Sequence, residues 1–591
     1  MKKIVSLFFA LLLLAGNFSA NAQRADYDVI PLPKEVKEDS TQVFTLRQGM
    51  GVAYDAANPE VYRNVQFLCQ WVEEMTGITL KLTPDDKKAA IRVGLDYPVK
   101  KGEVETELTE QEQEAYIINV DKKGLTIRAR KPVGLFRAAQ TIRKALPVTK
   151  SEMVEFPFVE IKDQPRFEYR GVLLDCGRHF FTVEFIKQFI DVMALHGSNQ
   201  LHWHLTDDQG WRFEVKAYPS LAPQGSVRAE TVVGPGNSGI YDGVPYGGYY
   251  TQDDCREVVR YAAERYINVV PEIDLPGHMQ SALHVFPHLG CTGGPYPVRT
   301  YWGVSREVLC GGNPETLTFL KTVLGELCEV FPSKYIHIGG DEVSTTAAYL
   351  NEMIAYVESK GKKAEIWNPI NGIGQDALNA TLAQMWGTRG YLASGKANID
   401  SRYNYTNHFD VFADLVGIYK SNIYYHEKGT PEVAGAVSGC WNDRKLADEK
   451  AIMAQNNVWA NVIATAERAW IGGGKQYIDN MTNTPANLKA DGGHGGVMLP
   501  NSGDEYEEFK SWETRFLFHK ANSLKNEPIP YVKQTNVRWR ITDAFPNGGS
   551  ETAAFGPETA GKTASTEMLP EVFTHEGKTY YTGMATGAGI Y

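Results

Sequence analysis

Two adjacent carboxylates, Asp341 and Glu342, are the residues whose types and spacing most clearly suggest chemistry. They follow Tyr335–Ile338, a short apolar run typical of a buried strand, and two glycines that allow a sharp turn. Two acids at a strand end point in different directions and repel each other, which favours one protonated and one ionised group. The pair therefore predicts a general acid beside a charged partner; the alternative is a solvated acidic loop.

The elements that must position these acids alternate short apolar runs with longer helix-like segments from Phe167 onward. The predicted strands are Tyr169–Asp175, Asn199–Leu205, Ile267–Ile273, Tyr335–Ile338, Ala364–Trp367, Leu382–Trp386, Asn398–Tyr403 and Val437–Trp441. The helix-like segments between them include Val183–Leu195, Cys255–Glu264, Pro314–Val330 and Thr345–Ser359. Eight alternating units over about 350 residues predict an α/β fold, a closed (β/α)8 TIM barrel.

Functional side chains of such a barrel gather where the strands end, on one face. Polar or aromatic residues follow every predicted strand, namely Asp175, Arg178, His179, His204, Asp207, Asp208, Asp274, His278, Asp341, Glu342, Trp367, Trp386, Tyr405, Asn407, Trp441 and Asp443. The tryptophans Trp367, Trp386 and Trp441 offer flat faces on which the C–H faces of sugar rings stack, and the alternative is packing in the core or at the barrel rim. The repeated pattern indicates a carbohydrate site.

The segments on either side of the barrel carry no gathered acids, histidines or cysteines. Residues 26–165 predict a small α+β domain with helices over Pro59–Thr76 and Val133–Leu146 and a hairpin of Ala115–Val120 with Leu125–Ala129. The barrel is predicted over residues 166–525. Residues 526–591 form a short β-rich segment, with strand-like runs at Asn536–Ile541 and Thr579–Tyr581, whose last residues are typical of a domain interior and predict a truncated chain.

The composition excludes some classes of partner. The chain has 591 residues, 43% hydrophobic and 22% charged, and a net charge of −11. This balance is that of a globular protein, and the negative charge argues against a nucleic-acid-binding surface.

Residues 1–22 have the pattern of a secretory signal peptide. Lys2 and Lys3 precede the apolar run Ile4–Ala15, and Ala20–Ala22 offers a small-x-small cleavage site. The apolar run is too short for a stable membrane span. We therefore expect an exported mature chain, periplasmic or extracellular, that does not span a membrane.

Seven cysteines, an odd number, leave at least one thiol without an intramolecular partner. Export permits disulfides, and Cys291 and Cys310, which flank a Gly/Pro-rich loop, are the predicted pair, although their spacing alone leaves the pairing open.

Six short motifs occur in one order between Tyr169 and Asp443. They read Y-R-G-V-L-L-D-C-G-R-H-F from Tyr169, L-H-W-H-L-T-D-D-Q-G-W-R from Leu201, P-E-I-D-L-P-G-H from Pro271, H-I-G-G-D-E-V from His337, Y-T-N from Tyr405 and C-W-N-D from Cys440. Together they resemble glycoside hydrolase family 20, the exo-acting β-N-acetylhexosaminidases. The N-terminal unit is similar to the small domain that precedes the barrel in this family, and Cys291 and Cys310 sit where relatives carry a disulfide.

The resemblance implies substrate-assisted retention, in which the acetamido group of the substrate attacks C1 and forms an oxazolinium intermediate. Glu342 would be the general acid and then the base, Asp341 would hold the acetamide N–H, and Tyr405 would donate to the acetamide oxygen. No cofactor and no metal is implied. The substrate would be a glycan or glycoconjugate with a terminal β-linked N-acetylglucosamine or N-acetylgalactosamine, although some relatives release a disaccharide.

The resemblance also assigns supporting residues. His278 and Asp207 would form a relay to the acid, although a purely structural pair is the alternative. Arg170 and Asp443 would bind the outer hydroxyls of the sugar; relatives often have glutamate at the position of Asp443. Asn407 belongs to the Y-T-N motif and is assigned to substrate binding. The acetamide pocket and the stacking platform would be formed by Trp367, Trp386 and Trp441.

Two other functions compete with this interpretation. In amidohydrolases, an H-x-H at a strand end binds metal, and His202 and His204 with Asp207, Asp274 and His278 could do the same. That hypothesis leaves the fourth strand unexplained. The other hypothesis is a carbohydrate-binding protein without catalysis, but Asp341, Glu342 and Tyr405 are all present.

Overall fold

The computed structural model describes residues 23–99, 108–233, 239–387, 392–402, 404–406, 412–413, 418–419, 421–424, 426–442, 449, 452–453, 458–474, 498–499, 503–522, 524, 536–537, 540–541, 571–575 and 578–582. The expected signal peptide, residues 1–22, lies outside this part of the chain. The described residues divide into two compact units, which fall within residues 1–29, 33–107 and 113–163 and within residues 30–32, 108–112 and 164–591.

The first unit is an α+β domain built on one sheet. Its strands are Gln23–Arg24, Glu35–Arg47, Gly51–Ala53, Lys81–Leu82, Ile91–Gly94, Tyr116–Asp121, Gly124–Ala129 and Met153–Asp163, and its helices are Pro59–Thr76 and Pro132–Ala145. The predicted helices and hairpin are confirmed. The long antiparallel pair of Glu35–Arg47 with Met153–Asp163 was not predicted, because the first eight residues of Glu35–Arg47 are exposed and show no apolar alternation.

The second unit contains a closed barrel of eight parallel strands. Barrel strands 1 to 8 are Tyr169–Asp175, Gln200–His204, Asn268–Glu272, Tyr335–His337, Lys363–Asn368, Leu382–Met385, Ala397–Asp400 and Val433–Cys440. All eight predicted strands and the TIM-barrel fold are confirmed. Barrel strand 8 begins at Val433, four residues before the predicted start at Val437. The added residues include Gly435, where a Cβ would lie 1.8 Å from the backbone oxygen of Tyr169. A glycine that permits close backbone approach weakens the apolar pattern of a strand.

The longer helices of the second unit are Val183–Leu195, Gln252–Ala263, Pro314–Val330, Ala347–Ser359, Val458–Ile471 and Asp504–Ala521. Shorter helical segments are Glu110–Gln113, Leu221–Gly225, Gln280–Val285, Pro287–Leu289 and Gln375–Ala377. Short strand pairs are Thr206–Asp207 with Gly210–Trp211, Phe412–Ala413 with Asn536–Val537, Met498–Leu499 with Arg540–Ile541, and Glu571–His575 with Lys578–Thr582. Within the described part of the chain, none of the helices is long and apolar enough to cross a membrane.

The interior of the barrel is only partly apolar. Side chains that alternate inward along the strands form a buried cluster of Tyr169, Leu173, Val270, Tyr335, Trp367, Leu382, Ile399, Ala434 and Val437. Fully buried ionisable residues share this interior, namely His202, His204, Glu272, His337 and Glu365. Buried charges are stable only when they are paired or neutralised, so their partners decide what this interior can do.

Candidate active site

The two adjacent acids lie on a tight turn after barrel strand 4. Gly339 and Gly340 have φ of 66° and 106°, and Glu342 itself has φ of 56°, which is unusual for a residue with a side chain. A Cβ on Gly339 would lie 1.7 Å from Oδ1 of Asp274, so only glycine fits. The N–H of Gly340 donates to the same carboxylate oxygen at 2.9 Å. The turn is therefore held against the loop after barrel strand 3.

The two acids have different surroundings. Asp341 is buried, and burial raises its pKa to about 6 although His278 opposes the shift. Asp341 shares a hydrogen bond with Asp274, and burial, reinforced by Asp341, raises the pKa of Asp274 well above its usual range. The side chain of Glu342 is 35% exposed. One acid therefore lies inside the site beside a protonated neighbour, and the other reaches towards solvent, as two different roles require.

His278 connects Glu342 with Asp207. Its Nε2 lies 3.4 Å from Oε2 of Glu342, and its Nδ1 lies 3.1 Å from Oδ2 of Asp207. Burial alone would lower the pKa of His278, but Asp207 and Asp274 outweigh burial and raise it well above its usual value. The histidine has φ of 55°, so its backbone is strained into the position that allows both contacts. The structure thus brings together the predicted relay residues.

Asp207 is surrounded by cations. Its Oδ2 lies 2.9 Å from Nη2 of Arg178 and 3.2 Å from Nε2 of His204, in addition to His278. Burial opposes ionisation, but Arg178 and His278 hold the pKa of Asp207 well below its usual range. The aspartate therefore stays charged although it is fully buried.

The aromatic residues gather around the barrel mouth. The rings of Trp367 and Trp441 lie 5.9 Å apart, those of Tyr405 and Trp441 lie 5.8 Å apart, and Trp386 packs against the same cluster. Burial raises the pKa of Tyr405 well above its usual value, so its hydroxyl remains a donor. Trp367 is 1% exposed and Trp441 is half-buried. A tyrosine donor beside indole faces is suited to an amide-bearing sugar.

The prediction that Arg170 binds the substrate is wrong. Arg170 stands at the start of barrel strand 1, roughly 16 Å of extended chain before Asp175, and its guanidinium donates to the backbone oxygens of Phe167 and Gly197. Arg178, three residues after the strand, contributes the guanidinium at the site, where it contacts Asp175, Asp207 and the face of Trp441. Both arginines belong to one motif, and the direction of the strand separates them.

The structure contains the predicted disulfide between Cys291 and Cys310, with their Cα atoms 4.7 Å apart. Asn407 and Asp443 lie outside the described residues, so both assignments stay predictions.

The main residue that the sequence interpretation missed is Glu272, the last residue of barrel strand 3. Glu272 accepts hydrogen bonds from Trp367 and contacts His202, His204 and His337. The available signal was a glutamate inside an apolar run, P-E-I-D, at a position that the strand alternation turns inward.

The histidines of the H-x-H motif lie in this hydrogen-bond network. Ring nitrogens of His202 contact Gln384 and Glu272, and those of His204 contact Glu272 and Asp207. Potential metal-ligand atoms of His202, Glu272 and His337 lie within 4.8 Å of one another. All four ring nitrogens of the motif nevertheless have protein partners, which favours a structural network over a metal-binding pair.

The fold and the site together define a class. A closed (β/α)8 barrel with a carboxylate pair, a tyrosine and tryptophans at the carboxyl ends of its strands is the arrangement of a barrel glycoside hydrolase. Two family models extend this result: glycosyl hydrolase family 20, catalytic domain, matches residues 167–348, and domain 2 of the same family matches residues 26–164.

Comparison with known proteins gives the family. A β-N-acetylhexosaminidase of Cellulomonas fimi is 32% identical over 368 residues, which are 61% of this chain and 69% of the relative. A β-hexosaminidase of Porphyromonas gingivalis is 36% identical over 345 residues, 56% of this chain and 41% of the relative. The chain belongs to glycoside hydrolase family 20. It spans less than half the length of several curated relatives, including those of Vibrio furnissii at 37% and Akkermansia muciniphila at 46%.

Solved structures of family 20 enzymes have a fold similar to that of this chain. The family 20 β-N-acetylhexosaminidase of Streptomyces coelicolor matches with a TM-score of 0.68 and 27% identity over 87% of this chain and 98% of that protein. A mutant β-hexosaminidase of Streptomyces plicatus, solved with its product GlcNAc, also matches with a TM-score of 0.68 and 27% identity, over 87% of this chain and 97% of that protein.

Proposed function

We propose that this chain is an exo-acting retaining β-N-acetylhexosaminidase. It removes terminal, non-reducing β-linked N-acetylglucosamine or N-acetylgalactosamine from glycans or glycoconjugates. The observation that carries the proposal is the turn after barrel strand 4, which places buried Asp341 and partly exposed Glu342 side by side, with His278 3.4 Å from Glu342. The bound GlcNAc named for the Streptomyces plicatus protein supports the choice of sugar.

In the first step, the acetamido oxygen of the substrate attacks C1 while Glu342 donates its proton to the glycosidic oxygen. The C1–O bond to the leaving group breaks, and an oxazolinium ion forms. Asp341 is suited to hold the acetamide N–H and to balance the developing positive charge, because it is buried beside the site. Tyr405 donates its O–H to the acetamide oxygen.

In the second step, water attacks C1 and opens the oxazolinium ring, and Glu342 takes the proton of the water. Two displacements at C1 retain its configuration. Trp367 and Trp441 bound the acetamide side of the pocket, and Arg178 is the cation that keeps Asp207 charged behind the acid.

The test uses two aryl β-glycosides that differ only at C2, one with an acetamido group and one with a hydroxyl group, in the presence of a chelator. Turnover of the acetamido sugar alone is expected. Equal turnover of both sugars would contradict substrate assistance, and loss of activity with chelator would support the metal-dependent alternative. Absence of turnover on both would favour a disaccharide-releasing enzyme or a binding protein, which a chitobioside substrate separates.

Two substitutions test the roles of the acids. Asp341→Asn and Glu342→Gln should each leave a folded protein whose kcat/KM on the acetamido sugar is lower by about 100-fold or more. Near-wild-type rates in both variants would show that the catalytic assignment is wrong.

We also propose that the chain is exported, because residues 1–22 have a basic start, an apolar run and a small-x-small site. N-terminal sequencing of the mature protein, with Gln23 expected first, tests this.

A further inference from the structure

Glu272 lies at the centre of the barrel and is fully buried. Its Oε2 lies 2.9 Å from Nε2 of His202 and 2.5 Å from Nδ1 of His204. Its Oε1 accepts the indole N–H of Trp367 at 2.8 Å and lies 3.1 Å from Nδ1 of His337. One carboxylate oxygen therefore faces the H-x-H histidines, and the other faces a wall of the proposed sugar pocket.

A continuous row of side chains leads from Glu272 to the acid. Nε2 of His204 lies 3.2 Å from Oδ2 of Asp207, Asp207 lies 3.1 Å from Nδ1 of His278, and Nε2 of His278 lies 3.4 Å from Glu342. We call Glu272, His204, Asp207, His278 and Glu342 the charge row. Its members come from the loops and ends of barrel strands 2, 3 and 4.

The signs of charge alternate along the charge row. Burial opposes protonation of His204, but Glu272 and Asp207 raise its pKa to about 10, so it is an imidazolium. Burial opposes ionisation of Glu272, but the adjacent His204 holds its pKa well below the usual range. Burial lowers the pKa of His337 to about 4, so this histidine is neutral and His204 is the main counter-charge.

We propose that Glu272 is a positioning residue for Glu342, which acts from the barrel centre through His204, Asp207 and His278. The inference rests on the proposed function, because Glu342 is the acid of that reaction. Glu272 supplies the charge that keeps His204 cationic. The cationic His204 and His278 both face the single carboxylate of Asp207. Because His204 takes part of this negative charge, Asp207 stabilises the protonated form of His278 less strongly.

Other titratable groups also face the charge row. Those facing His204, Asp207 and His278 are Asp175, Arg178, Asp208, Asp274 and Asp341, and those around Glu272 are His202, His337 and Glu365. Glu272 also acts directly by charge on Asp274 and Asp341. His204 is its closest partner, at 2.5 Å, so we expect the larger part of the effect to pass through His204.

The test is Glu272→Gln, which keeps the shape and one carbonyl oxygen but removes the charge. His204 loses its main counter-charge and becomes neutral more readily. Asp207 then attracts His278 without competition, and a more persistent cation next to Glu342 favours the ionised form of the acid. The alkaline limb of the kcat/KM profile should move to lower pH by about one unit, and kcat should fall by about tenfold or more, with a smaller change in KM.

Glu365→Gln is the matched control. Glu365 is also fully buried in the barrel interior, and its side chain accepts from the hydroxyl of Tyr169 at 3.5 Å. Burial and the charge of Glu272 keep Glu365 protonated at neutral pH, so glutamine there leaves the charges of the row unchanged. The same substitution there should leave the alkaline limb at its wild-type position. Wild-type turnover of the acetamido sugar is measured first, so failure of the proposed function appears in the wild type, whereas failure of this inference appears only in Glu272→Gln.

A second measurement is made on the wild-type protein, and a variant is needed only to assign one signal. Nitrogen-15 spectra of histidine-labelled protein, with the His204 signal assigned by His204→Gln, should show an imidazolium throughout pH 6 to 8. A Glu272→Gln variant with a wild-type alkaline limb and only a lower stability would overturn the proposal, and so would a neutral His204 at pH 6.

Discussion

Two buried glutamates flank His337 in the strand order of the barrel and differ in protonation, because one is ionised and the other is neutral. Glu272 pairs with His337 across barrel strands 3 and 4, and Glu365 pairs with it across barrel strands 4 and 5. Both are fully buried. Glu272 faces His204 at the carboxyl end of barrel strand 2, whereas Glu365 faces Tyr169 at the start of barrel strand 1.

The difference lies in the donors that converge on each carboxylate. Glu272 lies within hydrogen-bond distance of ring nitrogens of His202 and His204 and accepts the indole N–H of Trp367. His204 leads in holding the pKa of Glu272 well below the usual range. Glu365 has one hydroxyl at 3.5 Å, and burial raises its pKa to about 8, so at neutral pH it is protonated. Full burial alone therefore does not decide the charge of an acid, because a nearby cation and hydrogen-bond donors can keep a buried carboxylate ionised.

The two ends of the barrel interior differ accordingly. The carboxyl end contains a network of alternating charges around Asp207 and His278, and this network is suited to proton transfer at Glu342. The amino end contains neutral groups, such as protonated Glu365 beside Tyr169. We expect substitutions at the carboxyl end to change activity strongly, and those at the amino end to change mainly stability.

The largest effect should follow Asp207→Asn. The substitution leaves Arg178, His204 and His278 without their common counter-charge, and breaking a buried ion pair costs about 3–5 kcal/mol of unfolding free energy. Because His278 loses its orienting partner, kcat/KM should fall by about 100-fold or more. Enzyme kinetics and urea unfolding measure the two quantities.

Asp191→Asn is the control for this prediction. Asp191, like Asp207, pairs with an arginine, here Arg265, and it accepts a second hydrogen bond from Tyr261. It lies on the outer helix Val183–Leu195, away from the site. Its substitution should leave kcat/KM unchanged. Equal activity of Asp207→Asn and wild type would show that the charged network at the carboxyl end of the barrel does not contribute to catalysis.

Glu365→Gln should produce an intermediate effect, on stability alone. Native Glu365 keeps its proton up to about pH 8, whereas the unfolded chain releases it near pH 4 to 5, so this group makes wild-type stability fall as pH rises between these values. Glutamine removes that fall. The variant should gain stability over the wild type as pH increases, by up to about 4 kcal/mol at pH 8.

Urea unfolding at pH 5, 6.5 and 8 measures the gain, and activity at pH 6.5 should stay at the wild-type level. A difference in unfolding free energy that is constant with pH would show that Glu365 is ionised in the folded protein, like Glu272.

The smallest effect should follow Tyr169→Phe. The hydroxyl of Tyr169 lies at the outer limit of hydrogen-bond distance from Glu365, 3.5 Å, so its loss should change the unfolding free energy by less than about 1 kcal/mol. Activity should be unchanged. A loss above about 2 kcal/mol would show that the amino end also depends on its polar contacts.

Much of the fold could be predicted from the sequence. The eight barrel strands follow from local apolar runs, and helices such as Val183–Leu195 and Pro314–Val330 have the predicted bounds. The pair Asp341 and Glu342 was predicted because polar residues after parallel strands meet on one face of a barrel. The long strand Glu35–Arg47 was missed because its exposed half has no hydrophobic period.

The error at Arg170 shows where local patterns are insufficient. The motif shows only that two arginines are close in the sequence. An extended strand separates them in space, so Arg170 lies at the start of barrel strand 1 and Arg178 lies beyond its end. The distance between the two arginines in the sequence, together with the direction of the strand, would have shown that only Arg178 reaches the carboxyl end of the barrel.

By itself the sequence determined which residues lie in the barrel strands, which polar residues follow them, and which two acids stand next to each other, because these properties depend on neighbours in the chain. Only the tertiary structure decided that Glu272 is ionised and Glu365 is protonated. Both are single glutamates within apolar strands, and their charge depends on donors that residues far apart in the chain bring to one point.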